Sequence, residues 1–219
     1  MKPIFISKDF QDLSPALAAL VAENKLTAQS LIDFQALPFA CPEPTAITFF
    51  GSIRAAAFYL QNCKPSPLIA VAGKETARKL KENFDLNAVF IAEESGNPDL
   101  EAARFNDWRA NRSVLFPSSS SSLGTYAKYV PLQHKTIIQV YQTKCKKLLI
   151  EDHQVYVFSS PSNVTAFFQV NKLAPNAIVV AWGKSTQKAL YENKVTTCHT
   201  LLKDQQGALL TWLQTENFI

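Results

Sequence analysis

With 219 residues, 47% of them hydrophobic and 18% charged, the chain has ordinary globular composition, which excludes fibrous and disordered classes and leaves room for one large domain or two small ones. The formal net charge of +4 is too mild and too diffuse for a nucleic-acid-binding stripe, yet its sign suits an anionic small molecule. Lys8, Asp9 and Asp12 fall where a secretory leader needs an apolar run, and no stretch approaches the roughly eighteen apolar residues of a membrane span, so a cytoplasmic protein is expected, with no membrane partner.

In chain order, the pattern of apolar residues predicts a strand at 3–7 (PIFIS) and a helix at 14–24, followed by an extended run at 28–37 (AQSLIDFQAL). Two strand–turn–helix units follow, AITFFGSIRAAAFYLQ (46–61) and PLIAVAGKETARKLKEN (67–83). Each reads as a short β-branched or aromatic run, a small polar break and apolar residues three and four apart. Then come a strand at 87–92, a helix at 98–110, a strand at 113–117, a helix within 121–130 and a strand at 136–143. The serines 118–122 read as a strand-to-helix loop. Further on, QVYVFSSPSNVTAFFQ (154–169) and AIVVAWGKSTQKALYEN (177–193) repeat the two earlier units in the same order. Phe50/Phe158, Ser52/Ser160 and Gln61/Gln169 match in the first unit, and Gly73/Gly183, Lys74/Lys184, Thr76/Thr186 and Leu80/Leu190 in the second.

Strands alternating with short helices imply parallel sheets covered on both faces, here two similar doubly wound α/β domains of flavodoxin-like type. The chain opens with a strand and a helix before the first copy, and little chain follows the second. The opening residues are therefore expected to complete the second copy's sheet. That gives a discontinuous domain, 1–32 with 144–219, and an inserted domain, 40–134. Segments 33–39 and 135–143 would pair as a two-stranded connector, with a cleft between the domains.

Ligands of such sheets bind beyond the carboxyl ends of the strands, where helix N-termini offer free N–H groups. The candidate binding residues are those at the repeated turns: Ser52, Gly73, Lys74 and Thr76 in the first copy, and Ser160, Ser162, Gly183, Lys184, Ser185 and Thr186 in the second. Lys8, after the first strand, and Ser118 and Ser119, in the serine run, join them. Glycine permits close approach, and Ser or Thr either caps the helix or donates to an anion.

Several chemistries are disfavoured. A Walker A loop ending at Gly183-Lys184-Ser185 needs glycine where Ile178 stands, no G-x-G-x-x-G follows a strand, and no G-x-S-x-G elbow exists. His134, His153 and His199 lack metal-ligand spacing and read as surface or loop residues, so no metal is expected. Cys41, Cys63, Cys145 and Cys198 form no C-x-x-C pair and read as free, mostly buried thiols. No heptad or exposed apolar repeat calls for a partner chain, so a monomer is expected.

The chain resembles the uroporphyrinogen-III synthase family over nearly its whole length. The likeness lies in Val157-Phe158-Ser159-Ser160-Pro161-Ser162-Asn163-Val164, in the Gly-x-x-Thr-x-x-x-Leu units at Gly73 and Gly183, in Val140-Tyr141-Gln142-Thr143 and in Gln206-Gly207-Ala208-Leu209-Leu210. It departs where Lys8 replaces the family's frequent arginine, where Gly51 replaces Thr or Ser, and where Ala166 stands for a tyrosine that some members use. The resemblance implies a cofactor-free dehydrating cyclisation of hydroxymethylbilane, a linear tetrapyrrole with eight carboxylates, with inversion of its last ring (ring D). The resemblance names no single proton donor: Tyr141 is the candidate, with Ser160, Thr186 or a carboxyl of the substrate as the alternatives. The alternatives are a two-domain binder of a small anion, without chemistry, and a pair of receiver-like domains. The latter wants an acidic cluster where these turns carry Ser and Gly.

Overall fold

The computed structural model describes residues 4–93, 97–201 and 205–219. In chain order, its elements begin with β1 (Ile4–Ile6), α1 (Pro15–Ala22), β2 (Leu26–Ala28), β3 (Ile32–Ala36), β4 (Ile47–Phe50), α2 (Ile53–Leu60), β5 (Leu68–Val71) and α3 (Lys74–Phe84). Next come β6 (Phe90–Ile91), α4 (Pro98–Arg109), β7 (Val114–Ser119), α5 (Thr125–Tyr129) and β8 (Lys135–Cys145). The chain closes with β9 (Val155–Phe158), α6 (Pro161–Val170), β10 (Ile178–Ala181), α7 (Lys184–Glu192), β11 (His199–Thr200) and α8 (Gln205–Thr215). It divides into two compact units, 1–33 with 144–219, and 34–143.

The first unit holds a five-stranded sheet in the order β11-β10-β9-β1-β2. Its pairs β1–β2, β1–β9, β9–β10 and β10–β11 are parallel, and β1 lies against β9 with Ile4 opposite Val155 and Ile6 opposite Val157. Its central strands are apolar at every position because both faces are covered. Alternation sends Ile4, Ile6, Val155 and Val157 to one face, under Leu17 and Leu20 of α1 and Leu209 and Leu213 of α8. The opposite face carries Tyr156 and Phe158, whose rings meet Phe167 of α6 at 5.4 and 5.2 Å.

The second unit's sheet runs β3-β8-β7-β4-β5-β6. One face packs Phe50, Ile69, Val71 and Leu115 against α2 and α3. The other packs Ile47, Phe49, Val114 and Phe116 against Phe105 of α4. Apart from β3, the spatial order matches that of the first unit, with β7 and β8 in the places of β1 and β2 and β4, β5 and β6 in those of β9, β10 and β11. The copies are thus circular permutations. In one, the β1–α1–β2 pair precedes the repeated units in the chain, and in the other its counterpart follows them. The first unit has the flavodoxin-like 2-1-3-4-5 order and the second, counted from β4, the permuted 3-2-1-4-5 order, so both are doubly wound parallel sheets with a switch point.

Four local readings change. Leu26 and Thr27, which the sequence assigns to no element, form a strand with Ala28 that pairs with β1, because Leu26 is buried in the core. The strand before the serine run continues through Ser119, since Ser118 and Ser119 find partners in Gln139 and Tyr141 of β8 across a register shift. The thiol reading is corrected too: Cys41 and Cys63 form a disulfide, their Cα atoms 5.7 Å apart, within bridging range, while Cys145 is exposed and Cys198 half-buried. His153 is buried, with Nδ1 2.6 Å from the Glu151 carbonyl and Nε2 3.2 Å from the Thr27 hydroxyl.

The two repeat glycines are not equivalent. Gly183 has φ 101° and ψ 168°, a region open in practice only to glycine, whereas Gly73 is extended. A Cβ meets nothing within 4 Å at either site, so backbone conformation alone separates them. Gly183→Ala is expected to cost about 1–3 kcal/mol, and Gly73→Ala less than about 1 kcal/mol. Equal urea midpoints for the two variants would contradict this reading.

Candidate active site

In the first unit the winding changes direction between β1 and β9, the position where a doubly wound sheet opens a crevice at its carboxyl edge. The local sequence fills that point with small polar side chains. The Ser159 N–H donates to the Ser7 hydroxyl at 2.8 Å, and the Ser159 hydroxyl donates to the Ser7 carbonyl at 2.5 Å. Ser160 caps α6, accepting from the Asn163 N–H at 3.3 Å. The buried Asn163 amide donates to the hydroxyls of Ser159 and Ser160 at 3.3 and 3.1 Å, and its carbonyl accepts the Leu31 N–H at 2.8 Å. Asn163 therefore ties the β9 turn to the chain leaving β2.

Around this network, Lys8 follows β1 with its ammonium 5.2 Å from the centre of the Trp182 ring and 4.0 Å from the Asp12 carboxylate. Lys184 and Ser185 are exposed on the first turn of α7, and Ser162 is half-buried in α6. Thr186 turns inward, 1% exposed, its hydroxyl donating to the Trp182 carbonyl at 3.5 Å.

The corresponding point of the second unit lies between β7 and β4. Ser52 caps α2 by accepting the Ala55 N–H at 3.2 Å, and the Ser118 hydroxyl donates to the Ile138 carbonyl at 3.2 Å. Ser119 lies 3.5 Å from Ser121, hydroxyl to hydroxyl. Gly73, Lys74 and Thr76 form the β5–α3 turn, with Lys74 exposed and Thr76 half-buried. Because α5 has only five residues, it leaves part of the sheet face uncovered. A cavity of about 330 Å³ opens there. Its walls include Phe49, Phe116, Tyr126 and Ile137, and Gly51 and Ser118 to Ser120 also line it. The Tyr126 ring lies 4.4 Å from that of Phe49, centre to centre.

Burial, and then the negative charge of Glu101, push the Tyr126 phenol up to about 12. An unfolded tyrosine titrates near 10, so the native state holds this proton more tightly. The resulting stability is complete below a pH of about 10 and is lost as pH rises through about 12. The wild type is thus expected to lose stability over that window more steeply than Tyr126→Phe. Parallel stability curves would contradict the assignment.

Tyr141, the candidate donor, lies within the second unit. It is 8% exposed, stacked on Phe58 at 5.1 Å and edge-on to Phe34 at 5.9 Å, inside the aromatic core of the second unit. Asn163, Trp182 and Tyr126 adjoin these turns and this cavity and are not among the residues the sequence singles out as candidates. Among the described residues, no helix is long and apolar enough to cross a membrane.

The model of a family described as uroporphyrinogen-III synthase HemD matches residues 27–201. None of the curated proteins matches the chain by sequence. Among solved structures, the chain is similar to a uroporphyrinogen-III synthetase from Helicobacter pylori, with 18% identity, a TM-score of 0.74 and coverage of 99% of this chain and 100% of that one. It is also similar to a mutant uroporphyrinogen III synthase from the extremely thermophilic bacterium Thermus thermophilus, with 12% identity, a TM-score of 0.61 and coverage of 99% of each chain. At such identities these likenesses speak for the fold, while the family model, spanning well over half of the sequence, speaks for descent. The chain belongs to the uroporphyrinogen-III synthase family, cyclising lyases of tetrapyrrole biosynthesis that act on hydroxymethylbilane.

Proposed function

We propose that this chain closes hydroxymethylbilane to uroporphyrinogen III, and that the residues at the carboxyl edges of its sheets bind the substrate. The observation that carries this reading is the shared, circularly permuted strand arrangement, which gives each unit small polar turns at its switch point. Lys8, Ser160, Ser162, Lys184, Ser185 and Thr186, with Gly183, serve the first unit's edge. Ser52, Gly73, Lys74, Thr76, Ser118 and Ser119 serve the second's.

In the reaction the C–O bond of the hydroxymethyl group breaks and the hydroxyl leaves as water, giving an azafulvene. The substituted carbon of ring D then attacks it, forming a spiro intermediate that rearranges to the inverted ring. The azafulvene closes unaided to the uninverted isomer, so the protein's task is to hold the chain folded and keep water away. The cavity of about 330 Å³ is too small for four rings and suits a single substituted pyrrole against Phe49, Phe116 and Tyr126. Tyr126, which lines that cavity, joins Tyr141 as a candidate donor to the departing hydroxyl.

A substrate carrying eight carboxylates, gripped through lysines and helix N-termini, binds less tightly as salt screens those charges. KM for hydroxymethylbilane is expected to rise severalfold between low salt and about 0.5 M salt, with kcat changing less. A KM independent of salt would overturn the charge-based grip.

A further inference from the structure

The repeat exposes a difference at the carboxyl edge. Where the second unit has Ala72 between β5 and the Gly73 turn, the first has Trp182 between β10 and Gly183. The sheet order puts β9 between β1 and β10, so the Lys8 side chain, starting beyond β1, crosses the end of β9 to reach the indole. That path runs over the Ser159–Ser160 turn, the switch point itself. The Lys8 side chain is only 24% exposed, although a lysine at a strand end can extend into water. Trp182 is anchored from below, packed against the core of Ile4, Val157 and Val180. Its indole N–H is shielded from solvent and makes no hydrogen bond, so no polar contact of the ring accounts for its placement.

We infer that Trp182 is a positioning residue. Its ring face holds the Lys8 ammonium over the switch point of the first unit, where that ammonium takes a carboxylate arm of the substrate. The inference rests on the function proposed above and adds the device that sets its cationic half-site. An ammonium is attracted by the negative face of an indole more strongly than by that of a phenyl ring, and the attraction leaves N–H donors for an anion. Asp12, at 4.0 Å and half-exposed, is one counter-charge beside that ammonium. The second unit, with Ala72 at the equivalent place, has no such platform and offers an aromatic cavity instead.

The test is a double-mutant cycle on the full chain, with KM and kcat measured for hydroxymethylbilane. Lys8→Met is expected to raise KM about tenfold through loss of a charge-assisted bond. Trp182→Leu is expected to raise it about three- to fivefold, the range of an exposed cation–π contact, with kcat little changed. If Trp182 acts through Lys8, the double variant binds no worse than Lys8→Met alone. Effects that multiply, or an unchanged KM in Trp182→Leu, would overturn the inference. Should the leucine variant melt early, Trp182→Phe keeps the packing and weakens only the cation–π contact, so its KM should rise in the wild-type background and stay level in Lys8→Met. Failure of the wild type itself to form isomer III above the uncatalysed rate sinks the proposed function, whereas a catalytically competent wild type with a multiplicative cycle sinks only the role of Trp182.

Discussion

Replacing Gly51 with phenylalanine should leave the fold intact and lower kcat/KM by about a hundredfold, the scale of loss when reacting groups are displaced by an ångström or more. Gly51 follows β4, lines the cavity of the second unit, and has open space where a Cβ would go. Its φ lies outside the range that demands glycine, so the new side chain brings no backbone strain. By alternation along the strand it emerges on the same face as Phe49, the cavity wall, and so occupies the volume assigned to a pyrrole ring. Gly51→Ser, closer to the residue usual in the family, serves as the control and should retain most of the activity. A phenylalanine variant with a wild-type melting temperature and full turnover would show that substrate does not use this cavity.

The second large effect concerns stability. Asn163→Leu is expected to cost about 3 kcal/mol, because it leaves the Leu31 N–H without its acceptor in a buried place. Leucine is no smaller than asparagine, so no cavity term enters. The Ser159 and Ser160 hydroxyls lose a donor in the same step, loosening the turn that shapes the switch point. Urea unfolding would measure this as a lowered midpoint with an unchanged slope. A loss below about 0.5 kcal/mol would mean that the Leu31 N–H finds another partner, and that Asn163 does not hold the turn.

The sequence made visible what the two halves share, and hid what sets them apart. The central strands declared themselves as unbroken apolar runs because parallel strands buried on both faces have no polar side. The caps at Ser52 and Ser160 stood out because each recurs before a helical pattern in both copies. Matching one copy to the other also steered attention away from positions where they diverge. Asn163 faces Ala55 in the alignment and Trp182 faces Ala72, so neither belonged to a repeated motif. Tyr126 lies on a helix of five residues, too short to show periodicity, and its importance comes from rings contributed by β4 and α4. Tyr141 stands in a short likeness at the connector, and no local pattern announces that Phe34 and Phe58 pack on it. The Cys41–Cys63 bridge was hidden for a related reason: its two cysteines are 22 residues apart and meet only through the packing of α2.

Divergence between duplicated units also gives the functional account its asymmetry. One edge carries a cation resting on an indole, and the other carries hydroxyls and an aromatic cavity.

Separating the two uroporphyrinogen isomers after adding hydroxymethylbilane to the purified protein tests the central claim most directly. The account predicts isomer III as the main product, formed faster than spontaneous closure. Isomer I alone, at the uncatalysed rate, would contradict it.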